Sequence, residues 1–509
     1  MSAESPILRE GATTATSAAG TRPRLRAAGR VAALAIEAGV IGQLLFFDTG
    51  IGLNWPLAII VALGAALLAR RPEARFDAAD WWLPVSAVVL AAFVAIRGDP
   101  VLAFLDVLGS MALTVASLAA IGGHAVTRRL LPGLVNVLGR VVGSTLVGAG
   151  LVVVDAITTM RPGEATRERT ASLRPILRGL LIAVPVVILF TALFASADAV
   201  FARIVGDLFR IDADLGDLFG RLFLAAVIAW IAAGALSFVA HEEPRADPTV
   251  GDRFRFLGTT EAVVVLAAVI AVFVAFATLQ AAYLFGGLDT LAASGLTYAE
   301  YARRGFFELL AVAALAGVLV LLGEAIVVRR TRAYVAGAIG LMVLTAVVLG
   351  SAFLRLRIYQ DAYGWTELRF YVLATIAWLA ICLVLAIAAL WLDRSRWLVH
   401  GLVVAAVVVG LAINVIGPVR YVAEQNLARA LNPALVPADG WSGLDVGYAR
   451  RLGDDAVPLL ADALPRLPEA VRGDLREALE ARRSDLVRES GAWQGWNLGR
   501  EWARAALDR

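Results

Sequence analysis

The sequence predicts an all-α fold: a polytopic transmembrane bundle of about eleven spans, or twelve, with interfacial amphipathic helices and a small C-terminal soluble helical domain. Three observations predict it. Mean hydropathy is +0.76, with 60% hydrophobic and 17% charged residues, far from soluble averages. Apolar runs of about 17–25 residues recur, the length that crosses a hydrocarbon core of ~30 Å. From Val419 onward the composition reverts to that of a soluble helical protein, with 13 Arg against 14 acids.

Residues 1–30 are rich in Ala, Ser, Thr and Gly and are expected to form a disordered cytoplasmic tail. Arg22, Arg24, Arg26 and Arg30 precede the first apolar run, Val31–Phe47. That order resembles a signal peptide, but no small-residue cleavage pattern follows and another span comes at once, so a retained helix is expected. Further spans read as Leu53–Ala69, Trp81–Ile96, Val101–Ile121, Ile176–Ala195, Leu222–Ala240, Thr260–Phe285, Phe306–Val328, Tyr334–Phe353, Phe370–Leu392 and Trp397–Ile416.

Leu130–Ile157 is ambiguous: apolar enough to cross, yet Gly-rich and carrying Pro132, Asn136 and Arg140. Positive-inside bias decides it. If it does not cross, 24 arginines are cytoplasmic, 9 lie in external connectors and 13 in the tail. If it crosses, the bias before the tail weakens to 19 against 14. An interfacial or re-entrant segment is therefore expected. The N-terminus is then cytoplasmic, the C-terminal domain external, and the location the bacterial plasma (inner) membrane. Residues 31–175 would hold the N-terminal membrane helices, 176–418 a core bundle of three capped hairpins plus a last span, and 419–509 the soluble domain.

In that domain Val457, Leu460, Leu464 and Leu467 mark one helix, and Val471, Leu475 and Leu479 the next. Asp454-Asp455 before Ala456-Val457-Pro458 is a helix start. The amphipathic, aromatic stretch Trp493–Trp502 docks either on the domain core or on the membrane surface.

Several chemistries are excluded. All 46 basic residues are Arg, so there is no phosphate-loop, Schiff-base or Ser-x-x-Lys lysine. Cys382 is the only cysteine, and His124, His241 and His400 have no metal-ligand spacing. No Gly-x-Ser-x-Gly elbow occurs. No catalytic residue, cofactor or metal is expected. The net charge of +3 comes from arginines on one side of the membrane, which does not suggest nucleic acid.

Segments scattered over most of the chain carry a resemblance. They are Arg97-Gly-Asp99-Pro with Leu105-Asp106, Gly179–Pro185 running into Phe194–Phe201, Tyr301–Leu310, Leu354–Tyr359 leading to Ala362-Tyr363-Gly364 and Thr366–Arg369, and Trp496-Asn497-Leu498. Together they resemble a bacterial multispanning family catalogued as domain of unknown function 4153/4173. The resemblance implies membrane embedding and supplies no catalytic residues.

The candidate working surface is three polar connectors, Ser196–Arg221, Gly286–Gly305 and Leu356–Arg369, all on one predicted side. In the first, Asp198, Arg203, Asp207, Arg210 and Asp214 oppose an apolar stripe, which reads as a lid or as a gate. The second gathers Tyr298, Glu300, Tyr301, Arg303, Arg304 and, at the start of the next span, Glu308; the third Arg355, Arg357, Tyr359, Asp361, Tyr363, Trp365, Glu367 and Arg369. Converging arginines would suit an anionic ligand or lipid headgroup; an aromatic belt with anchoring salt bridges is the other reading. Within spans, Glu37 and Asp106 are the acids best placed for proton chemistry.

The leading expectation is a non-enzymatic, bilayer-embedded protein that transports or senses a small or lipidic ligand, anionic or not, at the external polar surface formed by its connectors. The alternative is a structural or assembly protein whose 419–509 domain binds an envelope partner. A membrane-embedded transferase is disfavoured, because the first external loop, about Asp48–Gly52, is too short to hold a site.

Overall fold

The computed structural model describes residues 15–127, 131–159, 194, 198, 200–201, 203–204, 213–243, 255–285, 306–437, 440–489 and 491–509. Among them nine helices are long and apolar enough to cross a membrane. In chain order the membrane-embedded part comprises α1 (Ala15–Phe46), α2 (Asn54–Ala69), α3 (Trp82–Ile96), α4 (Pro100–Ile121), α5 (Leu131–Thr159), α6 (Ala213–His241), α7 (Thr259–Phe285), α8 (Phe306–Ile326), α9 (Arg332–Tyr363), α10 (Glu367–Trp391) and α11 (Leu398–Ile416). A C-terminal unit follows: α12 (Pro418–Leu431), α13 (Val446–Ala449), α14 (Val457–Ala463), α15 (Glu469–Arg488) and α16 (Leu498–Leu507). The helix starts are locally encoded. Asp99, Thr331, Thr366 and Asn497 each accept a backbone N–H of the first turn from their own side chain, satisfying donors that a helix start leaves open.

Packing divides the membrane part in two. One apolar core joins α1 to α6 and the other joins α7 to α10. A third core, including Val419, Leu460, Leu475 and Ala503, belongs to the C-terminal unit. Small residues set the tightest crossing. A Cβ on Gly39 of α1 would lie 2.4 Å from the Ala225 carbonyl oxygen of α6, a close approach typical of membrane helices.

The bundle has two distinct ends. At one, Arg30 donates to the Ala69 carbonyl, Arg71 to that of Gly122, and Asp80 accepts the Thr127 amide. The same end holds the start of α9 and, through the Arg330–Asp393 pair, the end of α10. At the opposite end lie the α1–α2 and α3–α4 turns, the start of α6, the α9–α10 turn and the whole C-terminal unit. The Val31 region of α1 and residues 418–509 therefore sit at opposite ends.

Two segments differ from expectation. Residues 15–30, expected to lack structure, extend α1; their Ala and Arg content favours helix. Leu130–Ile157, expected to be interfacial or re-entrant, forms over its described part, from Leu131, one unbroken helix, α5, packed along α6. Arg140 pairs with Glu242 at the edge, and Trp230 donates to the Leu146 carbonyl further in. Pro132 falls in its first turn, where a missing N–H costs nothing.

Among the described residues α9 has the longest apolar run of any helix, all 32 of its residues falling in one candidate span. Its 32 residues make about 48 Å at 1.5 Å each, more than the hydrocarbon needs, so its last turns project beyond it. The helix stops at Gly364, whose φ of +78° suits a residue without Cβ.

Candidate functional site

The polar groups concentrate where the C-terminal unit meets the bundle. Gly98, between α3 and α4, is held from both sides: its N–H donates to Asp455 Oδ1 at 2.8 Å and its carbonyl accepts from the Asp454 N–H at 2.8 Å. Asn497 Nδ2 donates to the carbonyls of Val94 and Arg97, 2.9 Å each, closing the C-terminus of α3. The Leu53 N–H reaches the Trp496 carbonyl at 3.0 Å, and Arg500 donates to that of Ile51 at 3.1 Å. Glycines make this approach sterically feasible. A Cβ on Gly52 would fall 2.4 Å from the Trp496 carbonyl, and one on Gly453 2.4 Å from that of Gly98.

Buried acids line this junction. Asp99 is 1% exposed; its Oδ1 accepts from Val101 and Leu102 while Tyr371 donates to Oδ2 at 3.4 Å. Two turns deeper, Asp106 Oδ1 accepts from Asn414 Nδ2 at 2.7 Å. Arg97 bonds the Asn414 and Val415 carbonyls at the end of α11 and faces Asp455 at 3.9 Å. Glu367 faces Asp99 and gives its backbone N–H to the Tyr448 hydroxyl. Burial pushes that phenol up to about 12, so it stays neutral.

Burial also raises Asp99 and Asp455 above the ordinary carboxyl value of 3.8, outweighing the backbone N–H groups that favour the ionised form. A carboxyl whose folded value is raised stabilises the fold fully below its unfolded value, and that contribution is lost as pH rises through the folded one. The C-terminal unit is therefore expected to hold more firmly in mild acid and to loosen as pH rises above 3.8. Asp455→Asn should flatten this profile. Thermal unfolding of the detergent-solubilised protein across pH checks it; an identical slope in the variant would refute it.

Beside the acids lies a groove of about 640 Å³. One wall is the start of α4: Pro100, Ala103, Phe104 and Val107. This wall is continuous with the outer face of α4, where Phe104 is 62% exposed. The opposite wall carries Arg450, Arg451, Arg482 and Arg500. Two of these are committed. Arg482 grips Asp454 with two bonds and also pairs with Glu489, and the Asp454 bond raises its guanidinium still further above its ordinary value. Arg500 serves the Ile51 and Gly495 carbonyls. Arg450 and Arg451 are exposed and form no ion pair or side-chain hydrogen bond among the described residues.

The residues anticipated from sequence fall differently. Tyr301, Arg303 and Arg304 lie outside the described residues, as does Gly286–Gly305 altogether and most of Ser196–Arg221. Asp198 is an exposed cap that accepts from Val200 and Phe201, and Arg203 is exposed. Glu308 is exposed in the first turn of α8 and Glu37 on the outer face of α1. The third connector is brought together, but its groups serve one another. Arg357 spans Asp361 at 3.7 Å and stands over Trp365; Arg369 stands 4.1 Å over Tyr359 and donates to the Gly364 carbonyl. Arg355 is half-buried in the same turns.

Asp106 joins the junction, whereas Asn414, Asp455, Asn497, Arg450 and Arg451 were not anticipated as its partners. Asn414 had a visible signal, a lone amide in an apolar span. Asp455 was masked by its place at a helix start.

Apolar helices of spanning length, capped at one end by a helical unit, define a polytopic α-helical integral membrane protein. The chain belongs to the family described as Domain of unknown function (DUF4153), whose model matches residues 85–463. The match includes Arg97, Asp106, Asn414 and both walls of the groove through Asp454, and stops before Arg482 and Asn497. No curated protein and no solved structure matches the chain.

Proposed function

We propose that this protein binds an anionic amphiphile, a phospholipid or a molecule of like chemistry, in the groove between α4 and the C-terminal unit, and transports or senses it. The observation that carries this reading is the pairing of two uncommitted arginines, Arg450 and Arg451, with an apolar wall continuous with a membrane-facing helix. Guanidinium groups suit a phosphodiester, and the exposed face of α4 suits an acyl chain. With the arginine-rich connectors at the other end of the bundle taken as cytoplasmic, the groove opens on the external side of a plasma membrane. The chain carries no catalytic role in this reading.

The test uses full-length protein in detergent, with dioleoyl phosphatidylglycerol and dioleoyl phosphatidylcholine added in mixed micelles. Native mass spectrometry should show preference for the anionic lipid. Arg450→Gln with Arg451→Gln should weaken retention about tenfold, a modest figure because both side chains are exposed. Equal retention of both lipids, or no change in the double variant, would remove the reading.

A further inference from the structure

We propose that Asp106 and Asn414 form a proton-binding site within the membrane part of the protein, filled and emptied through Asp99 from the groove. Asp106 is 3% exposed and Asn414 fully buried. One bond joins them, from Asn414 Nδ2 to Asp106 Oδ1. The remaining atoms of the pair, Asp106 Oδ2 and Asn414 Oδ1, are both buried acceptors without a hydrogen-bond partner among the described residues. A bare carboxylate with one oxygen unserved is costly at this depth. A single proton would serve both atoms: it turns Oδ2 into a donor, and the Asn414 amide that already bonds Oδ1 carries an open acceptor. Carboxylic acid and carboxamide then pair through two bonds in place of one.

The surroundings favour a proton over a metal ion. Among the described residues no group of three or more His, Cys, Asp or Glu is arranged to hold a metal. The charged and titratable groups around Asp106 are Asp99 on the same helix, Arg97 at the end of α3, and Tyr371 on α10. Glu367 and Asp455 stand behind Asp99. Arg97 also acts on Asp106, but its charge is shared with Asp455 and two carbonyls. Asp99 supplies the route. It lies seven residues before Asp106, two turns along the same face, and it lines the groove on its other side. Binding is an uptake of H⁺ by the Asp106 carboxylate; release returns it to the groove by way of Asp99.

Infrared spectroscopy of the full-length protein in nanodiscs tests the proposal. The wild-type minus Asp106→Asn difference at pH 7 should contain the carbonyl band of a protonated carboxylic acid, shifting in deuterium oxide. A difference holding only carboxylate bands would overturn the site. Asn414→Leu keeps the acid in place and guards against a misfolded Asp106 variant: it should move the frequency of that band, and an unmoved band would likewise overturn the pairing. Asp99→Asn should slow deuterium exchange of the band; unchanged exchange would overturn the route. Retention of dioleoyl phosphatidylglycerol by Asp106→Asn should equal that of wild type, so failure of the groove and failure of the proton site read out separately.

Discussion

Gly499→Val is expected to detach the C-terminal unit from the bundle. Gly499 opens α16 against the α3–α4 turn, and a Cβ there would lie 2.4 Å from the Gly98 nitrogen, 2.4 Å from Asp455 Oδ1 and 2.8 Å from the Gly98 Cα. Two of these obstacles are backbone, which no rotamer change can move aside. Overpacking of this kind costs about 2–3 kcal/mol or more. The loss falls on one interface, because Ala503 and the rest of α16 keep their contacts within the unit's own core. The variant should break the bond from the Leu53 N–H to the Trp496 carbonyl and should admit protease between α11 and α12 at concentrations that leave the wild type intact. A variant with wild-type proteolysis and an unchanged thermal transition would show that this contact does not hold the unit in place.

The second large effect is expected at Arg429 in α12. It is 9% exposed, and its guanidinium donates to three backbone carbonyls: Asp361 at 2.9 Å, Ala362 at 3.4 Å and Trp441 at 3.1 Å. The first two belong to the last turn of α9, where no intrahelical donor remains. Arg429→Leu removes all three bonds and leaves the Asp361 and Trp441 carbonyls facing an apolar side chain, while Ala362 keeps the Trp441 N–H, a cost of about 3 kcal/mol. Arg429→Lys should recover less than half of it, since one ammonium cannot reproduce a planar fork. Hydrogen exchange checks both: amides of 355–370 should lose protection in the leucine variant and regain it partly in the lysine variant. Equal protection in all three proteins would contradict the assignment.

Arg429 also shows where the sequence stops being informative. Apart from Ile176–Ala195, nearly all of which lies outside the described residues, the spans were legible because length and hydropathy are local properties, and lipid contact imposes them residue by residue. The last candidate span ends at Ile416, Gly417 adopts φ +71° and Pro418 begins α12. The junction was not legible. Its geometry depends on Gly98 meeting Gly499 and on Asn497 reaching Val94, residues some four hundred positions apart, and nothing in either stretch names the other. The third connector misled in a different way. Its Arg and aromatic content suited a ligand, yet the structure spends Arg357 on Trp365 and Asp361, and Arg369 on Tyr359 and nearby carbonyls. Meanwhile Arg450 and Arg451, which no motif in the sequence singled out, line a groove.

The amide of Asn497 closes the end of α3, and this has a consequence for how the protein is made. Translation delivers α3 to the membrane long before Asn497 leaves the ribosome, so the Val94 and Arg97 carbonyls must wait, served by water or by lipid headgroups. The early helices thus mature only when the late ones arrive, and a nascent chain halted after α11 holds its spans with an unfinished rim. Quality control acting on such a rim would in effect be inspecting whether synthesis had reached α16.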